Sequence, residues 1–138
     1  MPRYAILVKA SPITEGKGTP SPDTITAIGA FNEEMNAAGV LLAGEGLRPT
    51  THGYRVRFAA GEVSAVAGPF DLAEQSTVSG WWVIKVKDGE EALGWAKRIP
   101  FKNAEVEVRL VSEVEDFEMT AEQREREEKL REEVAGKV

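Results

Sequence analysis

Residues 81–110, WWVIKVKDGEEALGWAKRIPFKNAEVEVRL, carry the pattern of a strand, a helix and a second strand. The stretch from Trp81 to Val86 is rich in β-branched and aromatic side chains, which favour a strand. Asp88 is placed to cap a helix that Pro100 ends. The apolar positions of this helix are Ala92, Leu93, Ala96 and Ile99. Apolar and charged residues then alternate over 105–110 with the period of a half-buried strand, so we predict a β-α-β unit.

An earlier part of the chain predicts a second unit of the same kind. Tyr4 to Val8 is a continuously apolar run of strand length. Ser21-Pro22-Asp23 is typical of a helix start, with Ser21 as the cap, and Gly39 is placed to end the helix. The apolar face of this helix is Ile25, Ile28, Phe31, Met35 and Ala38. Val40 to Ala43 follows as a strand, which we expect residues 44–47 to break.

A β-hairpin is predicted between the two units. Tyr54, Val56 and Phe58 alternate with two arginines, which predicts a strand with its apolar face buried and Arg55 and Arg57 in solvent. Ala60-Gly61 supplies the turn and residues 63–66 return as the partner strand. The order β-α-β, hairpin, β-α-β predicts an α+β protein of the ferredoxin-like type.

The C-terminal segment has a different composition. Thr120 and Gln123 fit a capping box, and the Glu125–Lys129 and Glu127–Arg131 pairs have the i, i+4 spacing of a charged helix. Leu130 and Val134 are its larger apolar side chains, so we expect a solvated helix. We predict a domain over residues 1–112 and a charged helical extension over 113–138.

Composition excludes several classes of protein. The net charge of −6 argues against a nucleic-acid partner, because such proteins present basic patches. The absence of cysteine excludes disulfides, thiolate metal sites and a cysteine nucleophile. No apolar run approaches the roughly 20 residues that span a bilayer, and the N-terminal apolar run is too short for a secretory signal. We expect a cytoplasmic protein without a membrane partner.

His52 and Glu45 are the first candidates for chemistry. Imidazole changes charge near neutral pH, so His52, the sole histidine, is a candidate general base; a solvated loop histidine is the structural alternative. No metal-binding spacing accompanies it, and we predict no metal and no cofactor. Gly44-Glu45-Gly46-Leu47 lacks the lysine of a phosphate-binding loop and is interpreted as a bend or bulge. Glu45 is a candidate acid if it faces a cleft.

Arg48, Phe70, Trp81 and Trp82 are the candidate ligand-binding residues. A guanidinium suits a carboxylate, and aromatic side chains line apolar pockets. Neighbouring strand residues point to opposite faces, so Trp81 and Trp82 cannot share one face of a sheet. Packing in the core or at a subunit interface is the alternative role for these aromatic side chains.

Six segments, in their order and spacing, resemble a known family. They are GVLLAGEGLRP (39–49), RVRF (55–58), GPF (68–70), GWWVI (80–84), EALGWA (91–96) and VEVR (106–109). The series is similar to the YCII-related family, in the branch named after an Asp-Gly-Pro-Phe (DGPF) motif, across residues 3–112. The resemblance implies a homodimeric α+β barrel, a scaffold that some monooxygenases and lyases share.

Two departures from the family pattern bear on catalysis. The aspartate of the motif is Ala67 in this chain, so a role for that carboxylate is lost. Other YCII proteins are associated with a His–Asp pair, but the first strand and the loop after it contain no histidine. The pair therefore does not carry over to this sequence.

Two functional hypotheses follow. The first is a homodimer that binds a small molecule or serves as a dimerisation module, without assigned catalysis. The second is a cofactor-free enzyme with acid–base or oxygenase-like chemistry in the barrel cleft. In the second case Glu45, Arg48, His52 and Asp71 would be the working residues.

Overall fold

The computed structural model describes residues 1–18, 20–73 and 77–137. Its helices and strands in chain order are β1 (Arg3–Lys9), α1 (Pro22–Ala37), β2 (Leu41–Gly46), β3 (Tyr54–Ala59), β4 (Glu62–Ala67), β5 (Val78–Lys85), α2 (Gly89–Lys97), β6 (Val106–Leu110) and α3 (Ala121–Ala135). Short 3₁₀ turns lie at Thr50–His52 and Val114–Asp116.

An antiparallel sheet with the strand order β2-β5-β1-β6 forms the body of the protein. β1 pairs with β5 on one side and with β6 on the other. Because α1 connects β1 to β2 and α2 connects β5 to β6, the topology is two interleaved β-α-β units. The predicted ferredoxin-like α+β fold is therefore confirmed.

Local capping signals determine where the helices begin. Ser21 Oγ accepts a hydrogen bond from the Thr24 amide over 3.1 Å, and Asp88 Oδ1 accepts one from the Glu91 amide over 2.9 Å. At the start of α3, Thr120 and Gln123 form the expected reciprocal capping box. Each side chain satisfies an amide that has no partner within its helix, which is why these starts were predictable from the sequence.

The core lies between the sheet and the two helices α1 and α2. Its buried members are Ile6, Phe31, Met35, Val40, Trp82, Ile84, Val86, Ala92 and Ile99. Three positions predicted on the inner helix faces are wrong, since Ile25 is 62% exposed and Ala38 and Leu93 are also exposed. Burial along α1 increases towards Phe31 and Met35, so only the second half of that helix packs closely on the sheet.

β2 runs further than predicted. The glycine-rich stretch expected to break it continues the strand to Gly46, which pairs with Gly80 of β5, and Glu45 pairs with Trp81. The irregularity lies earlier, between Leu41 and Ala43, where the register shifts. The prediction of a break was wrong because the glycines pair with a neighbouring strand. The hydrogen bonds of that pairing hold them in the sheet although glycine has a weak strand propensity.

The sheet face opposite the helices is apolar at its centre. Ala5 is paired with Val83 and Leu7 with Trp81, and strand alternation turns all four away from the core residues Ile6 and Trp82. Each of the four is half-buried in the single chain.

The β3–β4 hairpin departs from expectation. Its register pairs Tyr54 with Ala67, Val56 with Ala65 and Phe58 with Val63, so these side chains share one face. We call these six residues the hairpin face. It was predicted to be buried, but Tyr54 is 74% and Phe58 78% exposed. The prediction was wrong because neither strand of the hairpin packs extensively on the helices or on the main sheet.

α3 is attached to the body by polar contacts. No described residue of the helix is buried, and Leu130 and Val134 are more than half exposed. Glu113 pairs with Arg3 of β1 at 2.7 Å and with Arg131 of α3 at 3.3 Å. The predicted Glu127–Arg131 pair forms at 3.0 Å. None of the helices in residues 1–18, 20–73 and 77–137 is both long and apolar enough to cross a membrane.

Candidate functional site

A cavity of about 410 Å³ opens where the hairpin leaves the main sheet, and we call it the hairpin-root cavity. It is lined by Leu47, Arg48, Pro49, Thr50, His52, Gly53, Tyr54, Arg55, Phe70, Thr77 and Val78. Its volume lies within the range of small-molecule sites, roughly 300–1,000 Å³. Three of the residues selected from the sequence meet here, namely Arg48, His52 and Phe70.

Thr50 anchors the floor of this cavity. Its hydroxyl donates to Oε2 of Glu15, and its amide donates to Oε1 of the same carboxylate over 2.9 Å. The Thr50 Oγ1 in turn accepts from the Phe70 amide over 2.9 Å. Thr50 is buried, and because its hydroxyl is engaged on both sides, it ties the loop after β1 to the segment after β4.

Neither Thr50 nor Glu15 was among the residues selected from the sequence. The two residues are 35 positions apart, and Glu15 lies in an irregular loop with no periodicity. No short motif connects them. The only available signal was the position of Thr50 beside the selected His52, within the loop that joins β2 to the hairpin.

Gly68 explains the Gly-Pro-Phe motif in physical terms. Its amide donates to the Gly53 carbonyl over 2.9 Å. A Cβ at this position would lie 1.8 Å from the Thr50 carbonyl oxygen, which is a severe steric clash. Any residue other than glycine would therefore push the two segments apart. The motif therefore brings two backbone segments into contact and places Phe70 against Thr50.

Arg55 contradicts the prediction that both hairpin arginines face solvent. Its guanidinium carbon lies 3.9 Å from the centroid of the Phe70 ring, and its Nη2 donates to Thr77 Oγ1 over 3.2 Å. Arg55 is half-buried, whereas Arg57 is exposed as predicted. The prediction failed for Arg55 because Phe70 and Thr77, both distant in sequence, cover its face of the hairpin root.

A second cavity, of about 300 Å³, lies beside Trp82 on the helix side of the sheet. Trp81 and Trp82 both contribute to its lining, as does Glu45. Trp82 is itself a core residue: its indole N–H donates to Asn32 Oδ1 over 2.8 Å, and its ring meets Phe31 edge-on at 6.0 Å. The two tryptophans point to opposite faces, as the strand pattern predicted.

The family model of the YCII-related domain matches residues 2–115, from before β1 to the 3₁₀ turn after β6. The chain belongs to the YCII-related family. No curated protein matches it.

The structure of this YCII-related chain does not bring its four candidate working residues together. Arg48 and His52 line the hairpin-root cavity, Glu45 lines the second cavity, and Asp71 lines neither. Asp71 is exposed, and its Oδ1 accepts a hydrogen bond from the Ala73 amide over 2.9 Å. That contact is a local turn of the chain, common for aspartate.

Two titratable groups outside both cavities, Lys9 and Glu113, have shifted pKa values in this YCII-related protein. The hydrogen bond from Arg3 lowers the pKa of Glu113, assisted by the charges of Arg131 and Lys85. The hydrogen bond with Glu105 raises the pKa of Lys9. In the part of the chain that the structure describes, no three histidine or acidic side chains are grouped closely enough to hold a metal ion.

Proposed function

We propose that this YCII-related protein is a homodimer that binds a small molecule, with the hairpin face of each copy covered by the other copy. The observation that carries the proposal is the position of Tyr54. It lines the hairpin-root cavity and also begins the exposed hairpin face. A second copy on that face would therefore shield the cavity from solvent.

Burial of the exposed hairpin face against a partner would be energetically favourable. A two-stranded hairpin is marginally stable by itself in water, and this one has its aromatic side chains in solvent. Both copies carry the same face, and a twofold axis joins identical patches, so a second copy is the self-complementary occupant. The face also lacks charge, because Arg57 and Glu62 point to the other side of the hairpin.

The aromatic side chains of the hairpin face supply part of the area that a stable dimer needs. Tyr54 and Phe58 are each about three-quarters exposed; with about 200 Å² per aromatic side chain, the four rings of two copies would bury roughly 600 Å². A standard interface buries about 1,600 Å² in total. The valines of the hairpin face and the apolar sheet face around Leu7 and Trp81 supply further area, in keeping with a dimeric barrel.

Catalysis is not part of this proposal. An acid–base enzyme needs its base within hydrogen-bonding reach of its partner or substrate, whereas His52, Glu45 and Asp71 lie at three separate places. The engaged Gly68-Pro69-Phe70 segment supports assignment to the DGPF branch of the family, although Ala67 replaces the aspartate of the motif.

Sedimentation equilibrium at micromolar concentration tests the proposal. We expect a dimer for the natural chain and a monomer for Phe58→Asp, because a charge on the hairpin face cannot be buried without a partner. Ile25→Asp is the matched control, an exposed apolar residue on α1, and should stay dimeric. A monomeric natural chain would refute the proposal, and so would a dimer unaffected by Phe58→Asp.

A further inference from the structure

The hairpin-root cavity is cationic in an acidic chain. Its lining includes Arg48 and Arg55 and, among the described residues, no aspartate or glutamate. The chain as a whole has 23 acidic and 17 basic side chains. The nearby carboxylate of Glu15 accepts hydrogen bonds from the Thr50 amide and hydroxyl, and two arginine side chains stand against this one carboxylate. The local charge thus favours an anionic occupant.

Arg55 is held in position with donors to spare. Its guanidinium stacks on Phe70 and, among the residues that the structure describes, makes one hydrogen bond, to Thr77, whereas a guanidinium carries five N–H donors. Within residues 1–18, 20–73 and 77–137, neither Arg48 nor Arg55 forms an ion pair with a carboxylate. A positioned guanidinium loses little freedom when a ligand binds, which favours affinity.

The backbone around the cavity offers few free donors. Five backbone amides of the lining donate hydrogen bonds within the protein. These amides belong to Leu47, Thr50, His52, Gly53 and Phe70, and their acceptors belong to Ser79, Glu15, Pro49, Thr50 and again Thr50, in that order. Phosphate sites of the loop type depend on a cradle of free amides, which these contacts remove here. Recognition therefore falls to the arginine side chains, whose planar fork matches a carboxylate or a phosphate group. The apolar residues Leu47, Phe70 and Val78 in the lining favour a carboxylate that is attached to an apolar body.

We propose that the hairpin-root cavity binds a small organic carboxylate with an apolar body. Arg55 and Arg48 hold the carboxylate, and Leu47, Phe70 and Val78 receive the apolar part. The inference rests on the proposed small-molecule function and adds the ligand class. The volume of about 410 Å³ sets the scale of the ligand as a compact molecule.

Three probes test the ligand class by NMR titration of the ¹⁵N-labelled full chain. Phenylacetate has the carboxylate and the apolar body, phenylacetamide has the same shape without charge, and inorganic phosphate has charge without the apolar body. We expect phenylacetate to bind about tenfold or more tightly than phenylacetamide, because hydrogen bonds to charged groups are the stronger ones. It should also bind more tightly than phosphate, which leaves the apolar part of the cavity unfilled. Binding should shift the amide signals of residues 48, 50–55 and 70.

Substitutions of individual arginines test whether the ligand binds in the hairpin-root cavity. Arg55→Met and Arg48→Met should each weaken phenylacetate binding by about tenfold, while Arg57→Met, on the same strand but exposed and outside the cavity, should leave it unchanged. Arg55→Lys keeps the charge and the fold if Arg55→Met fails to fold, and it should still weaken binding because the fork is lost.

The outcomes separate this inference from the proposed function. Equal binding of phenylacetate and phenylacetamide at the cavity would overturn the carboxylate assignment and leave small-molecule binding standing. Tighter binding of phosphate than of phenylacetate would indicate a phosphorylated ligand and would also overturn the carboxylate assignment. Absence of binding by all three probes would refute both the inference and the ligand-binding part of the function, whereas the dimer is tested independently by sedimentation.

Discussion

Thr50 holds Phe70 in place: the Phe70 amide donates to Thr50 Oγ1 over 2.9 Å, across 20 residues of chain. The same hydroxyl donates to Glu15. A single buried side chain therefore joins three loops at the hairpin root. The position of the Phe70 ring beneath Arg55 depends on this link, and so does the shape of the cavity.

Replacing Thr50 by valine should destabilise the protein by about 1–3 kcal/mol, because the Phe70 amide and the Glu15 carboxylate lose a partner while the volume is kept. Urea denaturation followed by circular dichroism measures the change. Thr51→Val is the control, since Thr51 is exposed, and should change stability by less than about 0.5 kcal/mol. Equal effects of the two substitutions would show that the Thr50 network contributes nothing.

Gly68→Ala should destabilise the protein by at least about 2 kcal/mol, since the added methyl group meets the Thr50 carbonyl and forces the two segments apart. Gly46→Ala is a suitable comparison, because a Cβ there has no neighbour within 4 Å, and it should be tolerated. Thermal unfolding of both variants gives the answer. A Gly68→Ala protein with unchanged stability would contradict the close approach.

Removing residues 118–138 should leave the core folded. α3 contributes no buried residue to the body, and the Glu113–Arg131 pair that its loss removes is partly exposed. Such pairs are worth at most about 1 kcal/mol, so the melting temperature should fall by less than about 5 °C. A larger fall in a calorimetric scan would mean that α3 packs on the body or on a partner more tightly than the single chain shows.

Glu113 should make stability depend on pH in the acid range. Its pKa is lowered in the folded protein, chiefly by the Arg3 hydrogen bond. The contribution is therefore present above the ordinary glutamate pKa of about 4.3 and is lost as pH falls through the lower folded-state value. Because Glu113 is about one-third exposed, solvent screening keeps the effect to about 1 kcal/mol or less.

The comparison of Glu113→Gln with the natural chain by urea denaturation measures this dependence. The variant should be less stable at pH 7 and nearly equal at pH 2. Glu118 is an exposed carboxylate outside the ion pairs of the described residues. Its variant Glu118→Gln should therefore not show a loss of stability at pH 7 that disappears at pH 2. A Glu113→Gln deficit that persists unchanged at pH 2 would assign the effect to packing instead of charge.

The elements of this fold are readable from the sequence because their signals are local. Ser21, Asp88 and Thr120 each cap a helix through an amide three residues away, and strand alternation identified the hairpin with its turn at Ala60-Gly61. The β-α-β order then leaves few ways to cover one sheet face with two helices. Fold class and helix starts were therefore predictable without coordinates.

Which faces are covered was decided only by tertiary structure. A period of two shows that a strand has two faces, but not which one another element covers, so the hairpin face was predicted buried and lies exposed. Likewise, the contacts of Glu15 with Thr50 and of Arg55 with Phe70 join residues 35 and 15 positions apart. Such contacts depend on where the loops are placed in space, and local propensity carries no information on that placement.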